Sequence, residues 1–152
     1  MKKKLKKKLK KKIKKKKKKL PTITALKKKA DQVFSWYIRR RDVNSKGYTK
    51  CVTCGKSDHW RNLQAGHYVS RTCLKLRYDE RNVFCQCMPC NIFKKGNYDE
   101  YALYLINRFG VERLEGLKKD KVPCSMERCD YQAIIDKYED NLVDLDIRGN
   151  NE

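Results

Sequence analysis

The chain has 152 residues, 39% of them apolar and 38% charged, with a formal net charge of +21. That length suits one domain, or one small domain with extensions, around a modest core. No run approaches the roughly 18 apolar residues of a membrane span, and no secretory apolar segment follows the lysines, so a membrane-spanning chain and a secreted disulfide scaffold are disfavoured and the expected location is cytoplasmic.

Residues 1–20 hold fifteen lysines and no acid, which leaves about +6 on the remainder. Leu5, Leu9 and Ile13 are spaced for a weak helical stripe, but like charges repel, so a disordered arm over 1–21 is expected. Such an arm, Lys16 and Lys17 included, favours a polyanion, and the attraction weakens with salt. A solubilising tail is the plainer reading.

Pro21 ends the arm. Thr22 or Thr24 caps a predicted helix over about 25–41, where Ala30, Val33, Phe34, Tyr37 and Ile38 recur at helical spacing. Asn44-Ser45-Lys46-Gly47 is a turn, closing a segment 22–47 before a core unit over 48–110. Tyr48 to Val52 is a short strand, Cys54-Gly55 a tight knuckle, and 56–66 a polar loop. His67 to Val69 is extended; Leu74, Leu76, Tyr78 and Val83-Phe84 belong to extended chain or loop, fastened by Asn82. Two hairpin-like pieces are expected rather than a wide sheet.

Asn97 and Glu100 form a candidate capping box for a helix through Phe109, ended by Gly110. A short helix over 111–118, broken by Gly116, opens a helical extension over 111–146, whose last helix (about 126–145) is capped by Ser125. That helix is the candidate face for a homodimer. Residues 147–152 are expected to fray.

Cys51-Val-Thr-Cys54 and Cys87-Met-Pro-Cys90 share one spacing, and two such pairs make a closed, structural tetrahedral zinc site. Zinc would tie together segments more than thirty residues apart and replace core that a small domain lacks. Cys85 is the nearest rival ligand and is set aside; Cys73, Cys124 and Cys129 are assigned to packing. His67 lies between the pairs. As a neutral imidazole it suits water activation; a structural or ligand histidine is the bland alternative. Asn91 offers a hard oxygen suited to magnesium beside a zinc ligand, and Lys94 and Lys95 follow where they can meet phosphate.

With these residues in view, the sequence resembles a known family. His67, Asn82 and Cys87-x-x-Cys90-Asn91-x-x-Lys94 are similar to the HNN variant of HNH endonucleases. Ala65-Gly66-His67-Tyr68, Leu76-Arg77-Tyr78-Asp79-Glu80-Arg81-Asn82, Gln86-Cys87-x-x-Cys90-Asn91, Lys94, Gly96-Asn97 and Leu105-Ile106 more closely resemble the phage NinG (Rap) recombination endonucleases, over about residues 25–145. The resemblance implies an α+β fold with a small zinc-stapled ββα-metal, treble-clef-like core and flanking helices. It implies a nuclease that cuts branched DNA, with His67 as general base, Asn82 orienting it or fixing its loop, and His67 and Asn91 as ligand candidates for a catalytic Mg2+ or Mn2+. It also implies duplex or branched DNA and phage recombination proteins as partners, in the cytoplasm of a bacterial host. Arg71 joins Lys94 and Lys95 as a DNA contact. Many HNH enzymes carry a metal-binding aspartate before the histidine, where this chain has Gly66; His59, Asp58, Asp79 and Glu80 are the candidates to replace it. A non-catalytic zinc-stabilised nucleic-acid-binding module explains the cysteines and charge equally well, but not the ordered His67, Asn82 and Asn91.

Overall fold

The structure is a computed structural model and describes residues 20–149; Lys16, Lys17 and the rest of the lysine-rich arm, together with 150–152, lie outside the described residues. Helix α1 (Ile23–Arg40) opens where Thr22 Oγ1 accepts from the Ala25 N–H, and its buried stripe is Leu26, Ala30, Val33, Phe34 and Ile38. Two antiparallel pairs follow: β1 (Tyr48–Lys50) with β2 (Ser57–His59), and β3 (Leu63–His67) with β4 (Val83–Cys87). A short helix, α2 (Leu74–Arg77), bridges β3 and β4, and a π-helical turn (Pro89–Phe93) follows β4. Then come α3 (Tyr98–Phe109), α4 (Val111–Lys119) and α5 (Arg128–Gly149).

Strand β4 is the middle layer. All five of its residues are buried, because both faces are covered. Val83 packs with the α1 stripe and with Tyr131, Ile135, Tyr138 and Leu142 of α5. Phe84 packs with Leu76 and with Tyr101, Leu105, Leu114 and Leu117 of α3 and α4. Removing each such side chain from water stabilises the fold by about 1.5–3 kcal/mol. Cys85 and Cys87 join Cys51, Leu63 and Cys90 in a third buried group. The two strand pairs match the expected hairpin-like pieces, and the fold is a mixed α+β one with the cysteine cluster beside small antiparallel sheets.

Several local expectations are corrected. The polar segment 56–66 is not a loop: it holds β2 and the start of β3, whose pairing partners are Tyr48–Lys50 and Val83–Cys87. Partner strands here outweigh polar composition. Leu74–Arg77 is a helical turn rather than extended chain. Asn97 cannot cap α3, because its backbone is left-handed and its amide points at the Cys90 sulfur, 3.8 Å away. Gly116 lies inside α4 without breaking it. The last helix begins at Arg128, where Asp130 Oδ2, not Ser125, accepts from the Glu127 N–H. Cys124 and Cys129 are exposed and so do not serve core packing.

Candidate functional site

The thiols of Cys51, Cys54, Cys87 and Cys90 lie within 4.8 Å of one another, and the Cys54 and Cys87 sulfurs are 3.7 Å apart. A tetrahedron with zinc–sulfur bonds of about 2.3 Å has edges of about 3.8 Å, so the donor set fits zinc. The first pair sits on the turn after β1, tied to β4 by the Val52 N–H donating to the Cys85 carbonyl. The second pair spans the end of β4 and the π-helical turn. Burial and neighbouring thiols push Cys87 up to about 12; Cys51, though buried, is drawn down to about 6 by hydrogen bonds from Thr53 and nearby backbone. Four thiols this close ionise together only when a cation offsets their charge. Cys85 lies two residues before Cys87 and shares its strand face. Its Sγ instead donates to the Ile38 carbonyl of α1, and burial pushes it up to about 12.

His67 ends β3, on the face that carries Leu63 and Ala65. Its Nε2 lies 2.9 Å from the Arg77 carbonyl, which can only accept, so Nε2 carries the proton and Nδ1 keeps a lone pair. Burial holds the imidazole below its ordinary value, the Arg71 and Arg77 charges adding to the effect and the carbonyl bond opposing it. Arg77 is itself fixed. Nε and Nη2 fork onto Asp31 of α1 at 2.8 and 2.6 Å, Nη1 donates to the Arg71 carbonyl at 2.7 Å, and the Tyr78 hydroxyl donates to Asp31 at 2.9 Å. Asn82 fastens the same loop: its amide donates to the Val69 and Leu76 carbonyls and accepts from the Val69 N–H.

Asn91 meets the other face of β3. Its Nδ2 donates to Gln64 Oε1 at 2.7 Å, leaving its own carbonyl oxygen for a ligand. His67 and Gln64 leave the strand on opposite sides, so the structure does not bring the imidazole and the Asn91 amide onto one face of β3. Gly66, between them, is explained by Gln86. A Cβ at residue 66 would stand 2.0 Å from Gln86 Oε1, so that side chain occupies the space a carboxylate there would need. Gln86 in turn donates to the Gly96 carbonyl at 2.8 Å, and its buried Oε1 has no hydrogen-bond donor among the described residues. Tyr101 closes the hairpin here, donating to the Gly66 carbonyl and accepting from the Phe84 N–H.

The candidate replacement ligands have other partners. Asp79 forks with Arg81, Glu80 meets Arg41, Lys137 and the Tyr138 hydroxyl, Asp58 accepts from the Asn62 amide, and His59 Nδ1 accepts from the Arg61 N–H. Among the described residues, the four cysteines alone form a group of three or more His, Cys, Asp or Glu side chains placed to share an ion. Arg71 is exposed but paired with Asp31; Lys94 and Lys95 are exposed and make no ion pair among the described residues.

Sequence reasoning gave no site role to Asp31, Gln64, Gln86 or Tyr101. Asp31, the lone acid of α1, carried a signal; the Arg77 contribution is a backbone carbonyl and carried none. No described helix is long and apolar enough to cross a membrane.

A family model described as NinG, bacteriophage lambda NinG protein, matches residues 1–147. Among curated relatives, protein ninG of Escherichia phage 933W is 37% identical over 123 residues, which are 78% of this chain and 57% of that protein. Protein ninG of Salmonella phage P22 is 34% identical over 121 residues, and that of Escherichia phage lambda 34% over 123; each match covers 78% of this chain and 56% of the relative. The chain thus spans just over half the length of these relatives. No solved structure matches it significantly.

Proposed function

The chain belongs to the bacteriophage NinG family, and on that premise we propose that it is a metal-dependent endonuclease that cuts branched DNA. The observation that carries the reading is the His67 imidazole, neutral at physiological pH, its Nε2 committed to Arg77 and its Nδ1 left as a base. It stands on a hairpin whose other strand ends in the cysteine cluster.

In this reading the core is a treble-clef-like ββα-metal unit stapled by zinc through Cys51, Cys54, Cys87 and Cys90. A phosphate lies at the His67 end of β3. His67 Nδ1 takes a proton from a water molecule, the water oxygen bonds to phosphorus, and the opposite phosphorus–oxygen bond breaks, with solvent protonating the leaving oxygen. The strand is left with a phosphate at one end and a hydroxyl at the other. Bound Mg2+ or Mn2+ would offset the charge that builds on the phosphate oxygens. With His67 serving as base, Asn91, held beside Gln64, is the ligand candidate that remains, so such an ion would take most of its ligands from phosphate and water. Arg71, Lys94, Lys95 and the lysine arm hold neighbouring phosphates, and DNA shape sets the preference. The protein acts in the host cytoplasm, beside phage recombination proteins and as a homodimer where a symmetric junction is cut twice.

The test is cutting of a four-way junction in Mg2+ or Mn2+ by the wild-type chain and by His67→Ala. Loss of cutting with binding retained is expected; no cutting by either protein in either ion would favour the binding module.

A further inference from the structure

The π-helical turn exposes apolar side chains that nothing among the described residues covers. Phe93 is 71% exposed, Ile92 52% and Met88 46%. A turn that closes i to i+5, as the Lys94 N–H does on the Pro89 carbonyl, brings Met88 level with Ile92 and Phe93. Their outward aim follows from the anchoring of their neighbours. Cys90 is buried within the thiol cluster and Asn91 is held by Gln64.

The residues that follow are held at a backbone cost. Lys95, Gly96 and Asn97 all have positive φ, at 49°, 98° and 48°. Two of these are not glycine, and such conformations survive only where the surroundings enforce them. Here the Gly96 N–H donates to the Cys90 carbonyl, Gln86 donates to the Gly96 carbonyl, and the Asn97 amide reaches Cys90. The effect is to fix two lysines beside the apolar tip.

We propose that Met88, Ile92 and Phe93 form a wedge that enters the gap between unstacked bases at a DNA branch point, with Lys94 and Lys95 on the adjoining phosphates. The proposal rests on the nuclease reading for the site beside it. Charge selects the occupant: Lys94 and Lys95 adjoin the tip directly and no acid falls within residues 88–98, Asp99 and Glu100 beginning only in the first turn of α3, so the apolar tip is framed for a polyanion. A second copy docked two-fold on the same patch would set these lysines against their own equivalents. Unstacked bases offer apolar faces within a phosphate frame, and Phe, Ile and Met are the side chains that enter such steps. The wedge adjoins Asn91 in sequence, so the branch point and the phosphate to be cut would lie close together.

The test uses the full chain in a His67→Ala background, which keeps the DNA intact in magnesium. A four-way junction carrying 2-aminopurine at the branch is compared with a linear duplex of the same sequence. Binding should raise the fluorescence and favour the junction. Adding Phe93→Ala should abolish the rise and weaken junction binding about tenfold, while duplex affinity changes by less than about twofold. Phe93→Trp should restore both, and zinc content and sedimentation should be unchanged throughout. Unchanged junction preference and fluorescence in Phe93→Ala would overturn the proposal. So would a protein that binds neither DNA, or a dimer lost as the only effect, which would mark the face as a self-association surface. Cutting by the His67-containing protein is scored separately: a Phe93-dependent signal from a chain that never cuts keeps the wedge and removes the nuclease reading, and cutting that ignores Phe93 does the reverse.

Discussion

The Arg77 carbonyl, 2.9 Å from His67 Nε2, decides which nitrogen of the ring is free to act. A residue usually read for its charge thus acts here through its backbone, while its guanidinium is spent on Asp31. Orientation of the imidazole is inherited from an ion pair on the far side of the same residue.

The acid limb of the cutting rate should fall below the ordinary imidazole value of 6.5, because burial lowers the His67 pKa. The neutral base then persists to lower pH and is lost only as pH drops through the lowered value. The stability sign agrees. Below 6.5 the unfolded chain binds the proton first, so His67 removes stability as pH falls through that window. Single-turnover rates between about pH 5 and 8 check the first statement, and His67→Ala should lower the rate by about 10²–10⁴-fold.

Asp31→Asn should destabilise the fold and slow cutting together. It leaves Arg77, 6% exposed, without its counter-charge. Breaking a fully buried pair costs about 3–5 kcal/mol, and the partial exposure of Asp31 brings the expectation to roughly 2–3. Asp31 is held below 3.8: burial opposes this, but its hydrogen bonds from Arg77 and Tyr78 prevail. Its contribution is therefore present above 3.8 and lost as pH falls below it. Denaturant melts give the stability; a slower rate at unchanged junction affinity, measured where the variant is folded, gives the positioning role.

Zinc should be found at one ion per chain, and Cys90→Ser should lose it. Cys85→Ser should keep the ion while lowering stability by about 1–2 kcal/mol, since it alters a buried thiol whose hydrogen bond goes to α1. Metal analysis beside a thermal melt separates the two. Loss of zinc from Cys85→Ser would place that residue in the ligand set.

Gly66→Asp, which restores the carboxylate common in HNH enzymes, should destabilise the fold by about 2 kcal/mol or more rather than improve activity, because Gln86 fills its space. Gly66→Asp with Gln86→Ala should recover part of that loss. A double-mutant cycle with a favourable coupling of about 1 kcal/mol or more checks the steric explanation; additive effects would refute it.

The metal knuckles were legible because thiol pairs at fixed spacing carry ligand chemistry directly. Helix α1 was legible from its stripe and its threonine cap. Strand β4 was only partly legible, because burial on both faces erases the alternation by which a half-buried strand is read. Ser57-Asp58-His59 was not, since its strand character comes from pairing with Tyr48–Lys50 and not from its own side chains. Gly66 was read as an absence, whereas it makes room for a glutamine twenty residues on; single-site reading has no access to volumes shared between strands. Asn97 followed a capping pattern that was overridden once its amide was drawn to Cys90.

Helices α1 and α5 pack on each other although α1 ends at Arg40 and α5 begins only at Arg128. During synthesis α1 emerges with Leu26, Val33 and Phe34 uncovered, and these wait until Tyr131–Leu142 leave the ribosome. Asp31 lies on α1, so the support behind the imidazole belongs to a helix whose apolar stripe is covered by α5.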